Sequence, residues 1–147
     1  MFIDHELYKR IHELMPVPCV DLVIMKGNNI LLLQRKHEPA KEQFWFPGGR
    51  IYRGESFAAA AKRIAKTEVS LDIDRFEQIG CGNLVFNTDP FGHGKGTHAI
   101  TIVMKCHTNN NQEPRIDDNH SRFIWWGGTQ GHHPYICHFA SEARKTS

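Results

Sequence analysis

The chain has 147 residues, of which 40% are hydrophobic and 23% are charged; this is ordinary for a globular protein, and we predict a single domain over residues 1–147. A net charge of +2 is too small to indicate binding to nucleic acid or to an acidic membrane surface. No apolar stretch suits a secretion signal or a membrane span, and four widely spaced cysteines without a CxxC pair indicate reduced thiols in a cytoplasmic protein.

The first predicted elements are a helix and a buried strand. Apolar residues recur at helical spacing over residues 3–14, Asp4 can cap the first turn, and Pro16 ends the helix. Residues 17–25 are apolar except for Asp21, and such a run predicts a buried strand. Because a buried carboxylate without a partner is costly, we expect Asp21 either to pair with a nearby Arg or Lys or to belong to a site.

The remaining predicted elements are short strands and two more helices. The alanine-rich residues 56–69 contain no Gly or Pro and predict a helix, and a last helix is expected from about Pro134. The glycine-rich residues 87–96 predict a mobile flap beside the active site. Further strands are predicted over residues 30–34, 44–46, 78–86, 98–107 and 122–126. Strands mixed with three helices predict an α/β fold, an α/β/α sandwich around a mixed β-sheet.

The most informative motif lies in and just before the alanine-rich helix. Gly49 is followed after five residues by Glu55, after seven more by Arg63, and then by Glu68. Together with the Trp-Phe-Pro-Gly segment at residues 45–48, this spacing resembles the Nudix box, G-x5-E-x7-R-E-U-x-E-E-x-G-U, where U is a bulky apolar residue. The resemblance implies the Nudix fold, in which Arg63 would pair with Glu55 and fix the loop against the helix.

Two glutamates of the box are absent from this chain. Ile64 and Thr67 stand in their places, and Ser70 replaces a glycine. One Nudix branch, GDP-mannose mannosyl hydrolase and its relatives, also lacks these carboxylates, and the chain resembles that branch over most of its length. The matching segments are residues 20–22, 34–35, 39–41, 45–50, 97–98 and 117–120.

The resemblance to this branch implies a reaction at carbon. Water would attack the anomeric carbon of GDP-mannose, or of another nucleoside-diphosphate sugar, and displace the whole nucleoside diphosphate with inversion. His120 would be the general base, because the pKa of an imidazole suits proton transfer near neutral pH. Mg²⁺, or Mn²⁺ in its place, would neutralise the phosphates. The metal ligands would be Glu68, the Gly48 carbonyl and the side chain of Asn119.

The same resemblance implies a set of substrate-binding residues. Arg35 and Arg50 would bind the phosphates, whose geometry suits guanidinium groups. Asp21 would bind the sugar and support the positive charge that develops on it, and His98 would also contact the substrate. Members of the branch are typically homodimers, so we expect a homodimer.

Two alternatives stay open at this stage. One is conventional pyrophosphate cleavage of a nucleotide, with the missing carboxylate supplied by Glu113, Asp117 or Asp118 from the loop before His120. The other is a nucleotide-sugar-binding protein without useful catalysis, which the reduced metal site would suit. The sequence does not indicate which base or which sugar is bound.

Overall fold

A mixed β-sheet of seven strands forms the centre of the computed structural model, which describes residues 2–109 and 111–145. The helices are α1 His5–Leu14, α2 Phe57–Val69 and α3 Pro134–Lys145. The strands are β1 Val17–Lys26, β2 Asn29–Arg35, β3 Phe44–Trp45, β4 Gly48–Arg50, β5 Glu77–Phe86, β6 Thr97–His107 and β7 His120–Trp126. The longest of the described helices, α2, has 13 residues, and none of them could span a bilayer.

Strand β1 organises the sheet because three other strands pair with it. Along one edge it runs parallel to β6, which makes the sheet mixed. Along the other edge it pairs antiparallel with β4 at residues 19–21 and with β2 at residues 25–26. Strand β3 continues the sheet beyond β2, β5 lies beyond β6, and β7 also pairs with β2. The edge of β1 is therefore split between β4 and β2, and the candidate site lies at this split.

Helices α2 and α3 cover opposite faces of the sheet. The alanine-rich face of α2 packs into one apolar cluster and α3 into a second one. The buried residues of α2 are Ala60, Ala61, Ile64, Ala65 and Val69. The buried residues of α3 are Tyr135, Ile136, Phe139, Ala140 and Ala143. This arrangement confirms the predicted α/β/α sandwich around a mixed sheet.

Helix α1 begins as predicted but buries an unexpected face. The Asp4 carboxylate accepts a hydrogen bond from the Leu7 N–H (3.3 Å), as a helix cap should. Leu7 and Leu14, which belong to the apolar stripe of the sequence, are 56% and 64% exposed. His12 is only 9% exposed, because the helix turns this side toward the cavity described below.

The structure differs from the predicted elements in two places near the site. Strand β4, Gly48–Arg50, was not predicted, and it forms because its backbone pairs with β1. His120 was expected in a loop, but it is the first residue of β7 and pairs with Arg35 of β2. Its backbone is therefore held by the sheet.

Candidate active site

A cavity of about 290 Å³ opens at the split edge of β1. Four of the predicted site residues line it, namely Asp21, Arg35, Gly48 and Arg50. Part of its remaining wall comes from α1 and from residues 90–91. One concave space therefore holds the two arginines expected to bind phosphate and the carboxylate expected to bind a sugar.

Three side chains that can bind metal converge next to this cavity, namely Glu68, Asp117 and His120. Their ligand atoms all lie within 4.8 Å of one another. Two backbone hydrogen bonds hold the segment before β7 against the end of α2. The Asp117 N–H donates to the Glu68 carbonyl (3.0 Å), and the Arg115 N–H donates to the Val69 carbonyl (2.9 Å). The cluster is thus a product of the tertiary fold, since α2 and β7 are far apart in the chain.

The negative charge of Glu68 is unfavourable where it lies. Burial, and to a smaller extent the charge of Asp117, raises the pKa of Glu68 to about 8. Its Oε1 accepts a hydrogen bond from the Gly48 N–H (3.2 Å), which favours the ionised form. A divalent cation beside the two carboxylates would offset their repulsion, and carboxylate oxygens are the ligands that Mg²⁺ prefers. The residues present therefore fit a divalent metal.

His120 is held in one orientation by Asp117. The imidazole is only 7% exposed, and its Nδ1 lies 2.6 Å from Asp117 Oδ1. A carboxylate can only accept, so Nδ1 carries the proton and Nε2 keeps its lone pair. Burial lowers the pKa of His120, while the Asp117 carboxylate acts in the opposite direction. The neutral ring therefore presents an unprotonated nitrogen, as a general base requires.

Asp21 is buried and held by two hydrogen-bond donors from other elements. Its Oδ2 accepts from the Tyr135 hydroxyl of α3 (2.7 Å) and from Trp45 Nε1 (3.4 Å). Burial raises the pKa of Asp21 to about 6, although both donors act to lower it. Among the described residues, no Lys or Arg lies within ion-pair distance of this carboxylate. Sequence reasoning missed Tyr135, because 114 residues separate the two side chains and no motif connects them.

The two arginines of the cavity are held in different ways. Arg35 Nε donates to the Pro39 carbonyl (2.7 Å), so the guanidinium is held at the end of β2. The Arg50 guanidinium lies over the rings of Tyr8 (5.1 Å) and Tyr52 (4.5 Å). Both groups line the cavity and can supply positive charge to an anionic substrate.

The structural pair implied by the box is present. Arg63 donates to both carboxylate oxygens of Glu55, from Nε (2.8 Å) and from a terminal nitrogen (3.0 Å). The same guanidinium donates to the Arg50 carbonyl (2.9 Å), and Glu55 also accepts from the Tyr52 N–H (2.7 Å). These bonds fix the loop between β4 and α2, and with it the backbone that carries Arg50.

Two predicted site residues lie outside the convergent groups. Asn119 is exposed, and its own N–H donates to Asp117 Oδ1 (3.2 Å), so metal binding by its side chain stays a prediction. Thr97 and Ala99 line the cavity, and because side chains alternate along a strand, His98 lies on the other face of β6. There it contacts Asn83 Oδ1 (2.6 Å), so the structure does not bring His98 to the cavity.

A mixed sheet between two helices, with the box helix presenting a glutamate beside a cavity, is the architecture of a Nudix domain. The family described as NUDIX domain matches residues 15–130. The chain therefore belongs to the Nudix family.

The chain is similar to several known proteins. It is 26% identical over 122 residues to the low-salt glycan biosynthesis protein Agl8 of Haloferax volcanii, which covers 82% of this chain and 78% of that protein. It is 43% identical over 89 residues to an ADP-ribose pyrophosphatase of Methanocaldococcus jannaschii, covering 60% of this chain and only 49% of that protein. The NUDIX domain of Shewanella oneidensis NrtR, solved with ADP ribose, superposes with a TM-score of 0.70 at 16% identity. The superposition covers 97% of this chain and 98% of that chain. That last likeness establishes the fold alone.

Proposed function

We propose that this protein is a divalent-metal-dependent hydrolase of nucleoside-diphosphate sugars, with GDP-mannose as the leading substrate, and that water attacks the anomeric carbon. The observation that carries the proposal is the pairing of His120 with Asp117 beside Glu68. Glu68 belongs to a box that lacks two of its usual glutamates. Membership of the Nudix family supports hydrolysis of a nucleotide-linked substrate. The Haloferax relative, named for glycan biosynthesis, supports a sugar as the second half of that substrate.

In this mechanism His120 activates the water. Its unprotonated Nε2 takes a proton from the water as the oxygen forms a bond to the anomeric carbon. The bond from that carbon to the diphosphate oxygen breaks, and its electron pair leaves with the nucleoside diphosphate. Asp117, which accepts from Nδ1, stabilises the imidazolium that results. Asp21 stabilises the positive charge that develops on the sugar ring.

The departing diphosphate is stabilised by positive charge around the cavity. Arg35 and Arg50 bind its oxygens. A bound Mg²⁺ or Mn²⁺ would add the charge neutralisation that a diphosphate leaving group needs. Glu68 would hold this metal together with the Gly48 carbonyl and Asn119, and the position of Asp117 makes it a further ligand candidate.

One observation favours a second reaction class. Asp117 brings a carboxylate to Glu68, which is the kind of acidic pair that the box itself lacks. With Asp117 as a replacement ligand, the site would suit conventional pyrophosphate cleavage. The relative named ADP-ribose pyrophosphatase is in keeping with this alternative.

Isotope labelling separates the two reactions. The protein is incubated with GDP-mannose and Mg²⁺ in ¹⁸O-labelled water, and the products are resolved by mass. Label in free mannose with unlabelled GDP is the expected result. Label in GMP or in mannose phosphate would mean attack at phosphorus and would refute the proposed mechanism. If neither GDP-mannose nor any of a panel of other nucleotide sugars yields a product, the remaining interpretation is a protein that binds nucleotide sugars without catalysis.

Variants test which group is the base. His120→Gln should lower turnover by about 10²–10⁴-fold, because proton transfer to a positioned base contributes that much. His107→Gln, an exposed histidine at the end of β6, is the matched control and should retain full activity. A dispensable His120 combined with an essential Asp117, tested as Asp117→Asn, would favour the pyrophosphate reaction. Glu68→Gln should abolish the increase in melting temperature that Mg²⁺ gives the unmodified protein.

A further inference from the structure

The loop at residues 87–96, which the sequence predicts as a mobile flap, is held together by one carboxylate. Asp89 accepts hydrogen bonds from four successive backbone N–H groups, at distances of 2.5–3.2 Å. These donors belong to residues 91–94, which include two of the loop's glycines with positive φ. The loop therefore has a defined shape of its own.

This loop docks on α1 at the wall of the cavity. His93 Nε2 lies 2.7 Å from His12 Nδ1, and Phe91 stacks on Tyr8 with ring centroids 5.3 Å apart. The side chain of His93 is only 2% exposed, so water does not compete for this bond. Tyr8, His12 and Phe91 all line the cavity. The contact between loop and helix thus forms part of the cavity wall.

The hydrogen bonds around these two histidines determine where their protons lie. The Lys95 N–H donates to His93 Nδ1 (3.0 Å) and lies closer to it than Asp89 Oδ2 does (3.5 Å), so Nδ1 acts as an acceptor and Nε2 carries the proton. His93 Nε2 therefore donates to His12 Nδ1, which must in turn be unprotonated. The proton of a neutral His12 then lies on Nε2. Burial and the neighbouring His93 both lower the pKa of His12, which favours this neutral form.

His12 Nε2 is the nitrogen left for a ligand. Within the described part of the chain no hydrogen bond reaches it, although the ring lines the cavity. The contact with the loop thus leaves one N–H donor, with its tautomer fixed, on a side chain that lines the cavity. A ligand group that can only donate hydrogen bonds cannot pair with this N–H.

The position of His12 matches the nucleobase end of the proposed substrate. Asp21, Cys19 and Val17 line the cavity at alternate positions of β1, which spans about 13 Å at 3.3 Å per residue. Arg50 pairs with Cys19 in the middle of this path. With the sugar at Asp21 and the phosphates at the arginines, the base reaches the end of β1 nearest α1.

We infer that His12 is a specificity-determining residue that donates from Nε2 to a carbonyl oxygen of the nucleobase, with His93 as the residue that positions it. This inference rests on the proposed function. Guanine presents such an acceptor at O6, and uracil and thymine present one at O4. Adenine and cytosine present an amino group at the corresponding position, and that group is a donor. The site therefore selects bases with a carbonyl oxygen at the position of guanine O6 or uracil O4, where adenine and cytosine carry an amino group.

Binding of nucleoside diphosphates tests the inference without any catalysis. Kd values for GDP, UDP, ADP and CDP are measured by titration calorimetry with Mg²⁺. GDP or UDP should bind about 10- to 100-fold more tightly than ADP and CDP, since a wrong base leaves the donor unpaired. His12→Phe keeps an aromatic ring and removes the donor, so it should abolish this preference. Equal binding of all four, or a preference that survives His12→Phe, would overturn the inference.

A matched control separates the donor from the docking of the loop. Lys95 also ties the loop to α1, through an ion pair with Glu13 (3.4 Å) that does not involve His12. Lys95→Met should therefore keep the base preference, and its loss in this variant would contradict the role given to His12. If none of the four diphosphates bound, the proposed function would fail as well. Equal binding of all four would leave the proposed function standing, so the two failures are distinguishable.

Discussion

Replacing Tyr135 with phenylalanine removes one hydroxyl from the buried side of the site and leaves the ring in place. The ring stacks on Trp45 with centroids 5.4 Å apart and planes inclined by 14°, and this contact does not need the hydroxyl. What is lost is the 2.7 Å hydrogen bond to Asp21. Asp21 would then retain only the longer bond from Trp45, at 3.4 Å.

The size of the effect follows from the charge and burial of the acceptor. Asp21 is 6% exposed, so water cannot replace the missing donor freely. A hydrogen bond to a charged group contributes about 1.5–3 kcal/mol, and we expect Tyr135→Phe to lower the free energy of unfolding by that amount. For a protein near this size, each kcal/mol lowers the melting temperature by about 2–4 °C, so the expected decrease is roughly 3–12 °C.

Urea denaturation at about pH 8 measures this loss, because Asp21 with a pKa of about 6 is ionised there. Tyr52→Phe is the matched control, since the Tyr52 hydroxyl makes no hydrogen bond within the described residues, and it should change stability little. In an Asp21→Ala background, Tyr135→Phe should lose most of its effect. An unchanged stability for Tyr135→Phe, or an equal loss in the Asp21→Ala background, would refute the reasoning.

Three further changes test other parts of the site. Gly48→Ala should lower the free energy of unfolding by about 1–3 kcal/mol, measured with urea, because the added Cβ would collide with the Asp21 carboxylate. Arg63→Met should lower the free energy of unfolding by about 1–3 kcal/mol in the same assay, because Glu55 loses both bonds from the guanidinium and keeps only the Tyr52 N–H, and a neutral result would contradict a structural role for the pair. Burial lowers the pKa of His133 from its ordinary 6.5, so the stability that this neutral histidine supports is present above pH 6.5 and is lost as the pH falls below it. Between about pH 7.5 and 5.5 the free energy of unfolding of the unmodified protein should therefore fall relative to that of His133→Asn. The comparison cancels the opposite effect of Glu68 and Asp21, whose raised pKa values are the same in both proteins. Parallel pH profiles for the two proteins would exclude this account.

Most of the framework could be predicted because it depends on local pattern. The alanine-rich run predicted α2, the apolar run around Asp21 predicted β1, and the spacing of the box predicted the pair formed by Arg63 and Glu55. Only eight residues separate that pair, so one loop and one helix turn bring them together. The departures Ile64 and Thr67 were also visible in the sequence, and the fold places Ile64 in the core at 1% exposure, where a glutamate would be costly.

The partners that give the site its chemistry were decided by the tertiary structure. His12 and His93 are 81 residues apart, and the proton assignment of both depends on the backbone conformation of a loop. Likewise Asp117 was only one of three carboxylates open from the sequence, until the end of α2 and the start of β7 placed it between Glu68 and His120.

The sequence by itself determined the family, the order of its elements apart from β4, and the residues of the box, because periodicity, caps and motif spacing act over a few residues. The tertiary structure alone decided which carboxylate holds His120, which hydroxyl holds Asp21 and which nitrogen of His12 carries a proton. These features depend on distances of about 3 Å between side chains from distant segments. Such distances are set by how the helices pack on the sheet, and no local pattern of residues specifies them.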